Sequence, residues 1–366
     1  MKPCKKTKVL FILPTLGAGG AERILITLMN NINRNRFTPE FLTLNDGGPI
    51  KEWIDSDIPF HSFKDQTVKT SIFKLYALVK KTQPDVIFTT MVHSNALALL
   101  MKIAFPHVRV IVREAALPSV LISKYGIKGK VCTLVYKLLY SKADMVISNC
   151  SQMLDDFENV IKIKTDNHVV LFNPVDTKRL YSQIPKTLEF SKDREETLHF
   201  VSVGRLSYEK GYDRLIKALK DFNPDKKWRL DIVGKGDYKD ILEPLIKKNG
   251  LEDKIFLRGY HSNPWVIAAN ADCLLLPSRW EGMPNVVLEG FACGIPAIAM
   301  REAGGIMDIK EYVDSKLLNI VDTIDEFVAV MLDVKTMQEN KKIISKLPNE
   351  FLLPHIIQQF ENILKE

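Results

Sequence analysis

The chain has 366 residues, 46% hydrophobic and 26% charged, the make-up of a folded protein with more than one core and not of a disordered one. Its 51 basic against 44 acidic residues leave a net charge of +7, a modest excess suited to anionic ligands or an anionic membrane face. No basic stripe interleaved with aromatics points to nucleic acid, and five scattered cysteines at no metal-ligand spacing point to a reduced, cytoplasmic setting without a zinc site.

The first apolar stretch ends at Pro14 and is too short for a signal-peptide core or a membrane span. Residues 9–13 read as a buried strand. "LPTLGAGGAERILITL" (13–28) then leads through glycines into a helical pattern over 22–33, the layout of a phosphate-binding turn. Gly17 and Gly19 suit a dinucleotide fingerprint, but Glu22 stands where its third glycine belongs, which disfavours NAD. Gly17, Gly19 and Gly20 are left as a tight turn or as backbone that approaches another phosphate.

Strands at 86–89, 108–112 and 145–148 follow, with helical periodicity between them, as in 72–81. His93 stands just past the first of these strands, and Arg113 and Glu114 just past the second. Residues 124–142 carry five lysines and no acid among Tyr, Leu, Val and Ile. That pattern fits a basic amphipathic helix on anionic lipid, or equally a core helix with a lysine-rich solvent face.

The alternation pauses in the polar stretch 177–197. It resumes with strands at 199–203, 229–233, 255–257, 273–276 and 297–299 and helices at 212–219 and 241–248. Strands separated by helices of this length imply parallel sheets covered on both faces. The expected architecture is α/β: two doubly wound Rossmann-like domains facing a central cleft, with ligands at the carboxyl ends of the strands. The boundaries are set at 1–180, a linker at 181–197, a second domain at 198–347, and a terminal helix at 348–366 that could pack back on the first domain.

"VSVGRLSYEKGYDRLIKAL" (201–219) ends a strand at Gly204 and places Arg205 and Lys210 before a helix. Two cations at a strand end beside a helix N-terminus suit a diphosphate, although a lone pair of this kind is also ordinary on a solvated surface. "LLLPSRWEGMPNVVLEGFACGIPAIA" (274–299) puts Glu281 in a loop and Glu289 eight residues on, within a helix that Pro284 can start. The apolar neighbours Leu288, Gly290 and Phe291 would make an unpartnered carboxylate at 289 costly, so a definite hydrogen-bonding partner is expected.

Gly204-Arg205-Leu206 with Lys210-Gly211, "VGKGD" (233–237), Glu281-Gly282-Met283-Pro284-Asn285 and Glu289 together resemble the retaining family 4 glycosyltransferases. The match runs in order over nearly the whole chain. Their GT-B fold agrees with the architecture above, and Glu281 and Glu289 form the family's E-x7-E pair. The resemblance implies that Arg205 and Lys210 neutralise the diphosphate of a nucleotide sugar, that Glu289 bonds the ribose hydroxyls, and that Glu281 meets the transferred sugar. It implies further donor contacts from Gly17, Gly19, Gly20, Gly204, Gly234, Gly236, Gly282, Met283, Pro284 and Asn285. Gly304 and Gly305 join them in "REAGGIMDI" (301–309), where Met307 replaces a more usual proline. "FNPVD" (172–176) resembles the segment that closes the first domain.

In the first domain, "VREAALPS" (112–119) stands where many relatives carry a histidine. It resembles a subset acting on lipid-linked amino sugars, which makes His93, Arg113 and Glu114 candidates for acceptor contact. The implied reaction moves a hexose or N-acetylhexosamine from a UDP-sugar to a glycan or polyprenyl-diphosphate-linked acceptor, in surface polysaccharide or lipopolysaccharide synthesis. It proceeds with retention and without a protein nucleophile, on the inner face of the cell membrane. No metal or other cofactor is expected, because Arg205 and Lys210 can carry the charge and no Asp-x-Asp ends a strand. The competing readings are a UDP-sugar epimerase on a similar fold, an NAD(P) oxidoreductase, and a silent sugar-binding protein.

Overall fold

The computed structural model describes residues 5–17, 19–64, 68–124, 127–162, 167–182, 184, 197–336 and 343–366. The chain forms two compact units, Met1–Pro174 with Leu353–Glu366, and Val175–Leu352. In the first, β1 (Thr7–Leu13), α1 (Gly20–Asn31), β2 (Phe37–Thr43), β3 (Phe60–Ser62), α2 (Val68–Thr82), β4 (Val86–Thr90) and α3 (Val92–Ala104) come in order. After them come β5 (Arg109–Arg113), α4 (Pro118–Lys124), α5 (Ile127–Leu139), β6 (Met145–Ser148), α6 (Ser151–Asp155) and β7 (His168–Val170). The seven strands lie in the order β3-β2-β1-β4-β5-β6-β7, every described pairing being parallel.

The second unit runs α7 (Thr177–Tyr181), β8 (Thr197–Val203), α8 (Tyr212–Ala218), β9 (Lys227–Val233), α9 (Lys239–Lys248), β10 (Ile255–Gly259) and α10 (Trp265–Ala268). It continues with β11 (Cys273–Leu276), α11 (Asn285–Ala292), β12 (Ala297–Met300), α12 (Ile306–Lys310), β13 (Leu318–Val321) and α13 (Ile324–Leu332). Its parallel sheet has the order β10-β9-β8-β11-β12-β13. In each unit the winding reverses once, between β1 and β4 and between β8 and β11, and the crevice at such a reversal is where open sheets of this kind bind ligands.

The strands are near-continuous apolar runs because a parallel sheet is buried on both faces. Val9, Phe11 and Leu13 of β1 face a core shared with α1 and with α14 (Leu353–Lys365), the chain's return to the first unit. Phe360 of α14 packs edge-on to Phe88 with centroids 4.8 Å apart and lies 6.3 Å from Phe11. Arg109 donates to the carbonyls of Leu364 and Ile363 at 3.0 and 3.2 Å, and Glu361 accepts from the Asn33 amide and pairs with Arg36. The α2, α3 and α5 helices cover the other face of this sheet, α2 packing on α3 and α3 on α5.

Four strands were not legible in the sequence. Pro39 interrupts the pattern of β2, yet it costs no ladder bond there, because β3 pairs only with Phe41–Thr43. The other three, β3, β7 and β13, are edge strands of three or four residues, too short to show a period. Thr177–Tyr181 at the head of the polar stretch is helical, capped by the Asp176 side chain, and its Tyr181 hydroxyl donates to Ala292 at 2.7 Å. Residues 183 and 185–196 of the expected linker lie outside the described residues.

Candidate active site

In the second unit the expected donor residues gather at the carboxyl ends of β8, β9, β11 and β12. Arg205 follows β8 with its side chain exposed, and Lys210 ends a short 3-10 turn before α8. The reason for the Lys-Gly pair is steric. Gly211 has φ +68, and a Cβ there would stand 1.9 Å from the carbonyl oxygen of Pro277, so only glycine lets α8 start against the loop after β11. Lys210 thereby reaches across the winding reversal. Its Nζ donates to Glu281 Oε1 at 2.6 Å, and the Ser278 hydroxyl donates to the same oxygen at 2.7 Å.

The flanking loops are braced independently of these groups. Arg214 of α8 donates to the carbonyls of Pro277 and Ser278, and Arg279 grips Asp213 with two bonds of 2.8 and 2.9 Å while lying over Tyr208. Burial acts to raise the Asp213 carboxyl, but the hydrogen bonds and charge of Arg279 hold it below the usual carboxylate range. Gly304, at φ +61, leaves no room for a Cβ beside the carbonyls of Glu281 and Gly282, and the Gly305 amide donates to Gly282 at 2.8 Å. The 301–305 and 281–284 loops are thus tied together. A Cβ at Gly234 or Gly236 would strike the carbonyls of Gly204 and Leu206, so the turn after β9 is closed onto the turn after β8. Met283 and Pro284 are buried beneath this surface, and Asn285 opens α11.

One turn into α11, Glu289 accepts from the indole Nε1 of Trp265 at 2.7 Å. This is the partner that the apolar setting demanded.

In the first unit, Gly17 and Gly19 line the turn between β1 and α1, and Gly20 begins the helix. Glu22 is buried, and its carboxylate lies back against that turn, accepting from Thr15 Oγ1 at 3.5 Å; a Cβ at Gly17 or Gly19 would meet its oxygens at 3.0 and 2.5 Å. Beyond β4, Met91 takes the rare value φ +76 for a side-chain-bearing residue, and His93 is exposed in the first turn of α3. Arg113 and Glu114, expected to face an acceptor, are instead buried. Arg113 bonds Asn173 and, at 3.4 Å, Thr90; Glu114 accepts from Asn95 at 2.9 Å, Tyr136 at 3.3 Å and Tyr140. The chain's one Asp-x-Asp, Asp55 and Asp57, faces Arg34.

Two family models match this chain, that for glycosyl transferases group 1 over residues 184–347 and that for Glycosyltransferase Family 4 over 18–179. The chain belongs to glycosyltransferase family 4. This glycosyltransferase is 27% identical over 337 residues to N-acetylgalactosamine-N,N'-diacetylbacillosaminyl-diphospho-undecaprenol 4-alpha-N-acetylgalactosaminyltransferase of Campylobacter jejuni, covering 90% of this chain and 89% of that one. It is 26% identical over 352 residues to an Escherichia coli UDP-Gal:alpha-D-GlcNAc-diphosphoundecaprenol alpha-1,3-galactosyltransferase, covering 88% and 86%. Anabaena Alr3699/HepE in complex with UDP-glucose superposes with a TM-score of 0.77 at 20% identity over 98% of this chain and 99% of that one. The two doubly wound sheets and such neighbours show the GT-B fold.

Sequence reasoning missed two residues of the candidate site. Ser278 and Trp265 hold Glu281 and Glu289, yet a serine and a tryptophan at those positions carry no spacing signal. It also made Arg113 and Glu114 candidates for acceptor contact by resemblance alone, and the spacing gave no sign that both side chains would be buried.

Burial pushes the Glu114 carboxyl up to about 7, against its three hydrogen bonds and the Arg113 charge, and burial likewise lowers Arg113 to about 10. An acid raised in the folded state favours folding while protonated, so this contribution is present below its ordinary value of 4.5 and is lost as pH rises through about 7. The Glu114→Gln variant is expected to lose that dependence. Urea midpoints measured at intervals between pH 5 and pH 8 should fall less for the variant than for wild type; equal slopes would show that Glu114 does not titrate there.

Proposed function

We propose that this glycosyltransferase moves a hexose or N-acetylhexosamine, with retention, from a UDP-sugar to a glycan or polyprenyl-diphosphate-linked sugar at the inner face of the cell membrane. The observation that carries the reading is the Lys210–Glu281 pair across the winding reversal, with Glu289 one turn into the next helix. The names of the Campylobacter and Escherichia proteins, which act on diphosphoundecaprenol-linked sugars, support the acceptor class, and the UDP-glucose complex of Alr3699/HepE supports the nucleotide.

In this reading Arg205 and Lys210 take the charge that grows on the diphosphate as the anomeric C–O bond breaks. The acceptor hydroxyl oxygen forms its bond to the anomeric carbon on the same face, and its proton passes to the departing diphosphate oxygen. Catalysis is then positioning and electrostatic stabilisation. Glu281 receives a sugar hydroxyl and Glu289 the ribose hydroxyls. With the cations supplying the charge, the reaction is proposed to run without a divalent metal, so that a chelator leaves its rate unchanged.

A panel of nucleotide sugars tests the reading, with diphosphate release followed with and without a polyprenyl-diphosphate N-acetylhexosamine acceptor. Release that depends on acceptor with a UDP-sugar supports it; conversion of the donor to its epimer without acceptor would replace it with an epimerase.

Trp265 gives a finer check. Trp265→Phe keeps the ring but removes the proton given to Glu289, so the donor KM should rise about five- to tenfold with kcat nearly unchanged. Inhibition by UDP should weaken in parallel, but inhibition by 2′,3′-dideoxy-UDP should not. Equal weakening of both inhibitors would separate Glu289 from the ribose.

A further inference from the structure

Lys210 and Glu281 belong to separate segments, one after β8 and one after β11, so their 2.6 Å contact depends on how those segments are joined. Arg279 stands at the centre of the join. Its amide donates to the carbonyl of Glu209 at 2.7 Å, and its Nη1 donates to the carbonyl of Tyr208, also at 2.7 Å. Nη1 and Nη2 further hold the two oxygens of Asp213, in the first turn of α8, at 2.8 and 2.9 Å. Arg279 thus bonds the chain just before Lys210 and just after it. Asp213 is buried, and the guanidinium lies 4.0 Å from the centre of the Tyr208 ring. Ser278 belongs to the same seam: its carbonyl accepts from Arg214 at 2.9 Å, while its hydroxyl donates to Glu281 at 2.7 Å.

We infer that Arg279 and Asp213 are positioning residues for sugar transfer, their ion pair setting where the Lys210 ammonium stands relative to Glu281. The inference rests on the glycosyltransferase reading above and goes beyond it, since neither residue meets donor or acceptor. Stability alone is a poor account of the pair, because desolvating two charges offsets most of their attraction. A planar fork held at two carboxylate oxygens does fix a direction, which a point charge does not. Direction matters to an ammonium that must meet a growing charge, where a misplacement of about 1 Å costs about a hundredfold in rate. Each end of the seam carries one of the two groups to be aligned.

Two variants and a double-mutant cycle test the role. Arg279→Lys keeps the charge and loses the fork, and Asp213→Asn keeps the shape and loses the charge. Both leave the Arg279 amide and the Arg214 bonds in place. Each should lower kcat for transfer about tenfold, with acceptor KM nearly unchanged. In a Lys210→Ala background, Arg279→Lys should cost less than about twofold more, because its effect passes through the missing ammonium. Full kcat in both single variants, or a tenfold loss added to that of Lys210→Ala, would overturn the positioning role. The same cycle is read in UDP affinity by calorimetry, where Arg279→Lys should weaken binding by wild type but not by Lys210→Ala. If wild type binds UDP yet transfers no sugar, the transferase reading fails, and the binding cycle alone upholds or overturns the role of Arg279.

Discussion

Alanine at Lys210 is expected to lower kcat/KM for sugar transfer by about a hundredfold or more, roughly 3 kcal/mol of transition-state stabilisation. The ammonium sits at the reversal of the second sheet, 2.6 Å from Glu281, and the nearby Arg214 and Arg279 are committed to loop carbonyls and Asp213. Charge-assisted contacts of this kind are worth about 1.5–3 kcal/mol each, and more to a group whose charge grows during the reaction. Glu289→Ala should lose a comparable factor. The loops themselves should stand, since the Arg214 and Arg279 braces and the Gly304 contact are untouched. Unchanged melting with lost turnover is therefore the expected pairing, read by steady-state diphosphate release at saturating acceptor. Near-wild-type rates in both variants would sink the site assignment.

The second large effect is structural. Phe360→Ala is expected to destabilise the first unit by about 3–5 kcal/mol, the usual cost of emptying a buried phenylalanine site. Phe360 is fully buried against Phe11 of β1 and Phe88 of β4, which are neighbours in the sheet, so the cavity would open under its centre. The Arg109 and Glu361 contacts would still hold α14 nearby and limit collapse into the void. Hydrogen exchange resolved by peptide separates the units: protection should fall in β1, β4 and α14 and stay constant in β8 and β11. Uniform loss across both sheets would show that the two units unfold together.

Much of this was legible in the sequence. Long β-branched runs such as those of β1, β8 and β9 announce central parallel strands by themselves, since both faces must be apolar. Edge strands need only one neighbour, and β3, β7 and β13 are accordingly too short to be seen. Glu289 is the clearest case of a side chain whose surroundings could be argued beforehand: a carboxylate between Leu288 and Phe291 requires a donor. That the donor is Trp265, 24 residues earlier, follows only from the folding of α10 beside α11. Glu114 shows the opposite case. Resemblance made it a candidate for acceptor contact, and nothing local told of its burial, because its partners Asn95, Tyr136 and Tyr140 come from distant segments. Glu22 spoils a dinucleotide fingerprint on paper. In the folded chain its carboxylate lies against the glycine turn, so any phosphate approaching Gly17 and Gly19 must displace it.

The return of α14 bears on how such proteins can recombine. Residues 175–352 are an uninterrupted passage set inside the first unit, and the two crossings are bonded side by side, Val175 donating its amide to Phe351 at 2.9 Å. A single crossover between the genes of two relatives, placed between the units, would graft one parent's α14 onto the other parent's sheet. Phe360, Glu361 and their partners at Phe11, Phe88, Asn33 and Arg36 would then descend from different lineages. Viable exchange of the 175–352 module calls for two crossovers, one at each junction, with the final fourteen residues inherited together with the first 174.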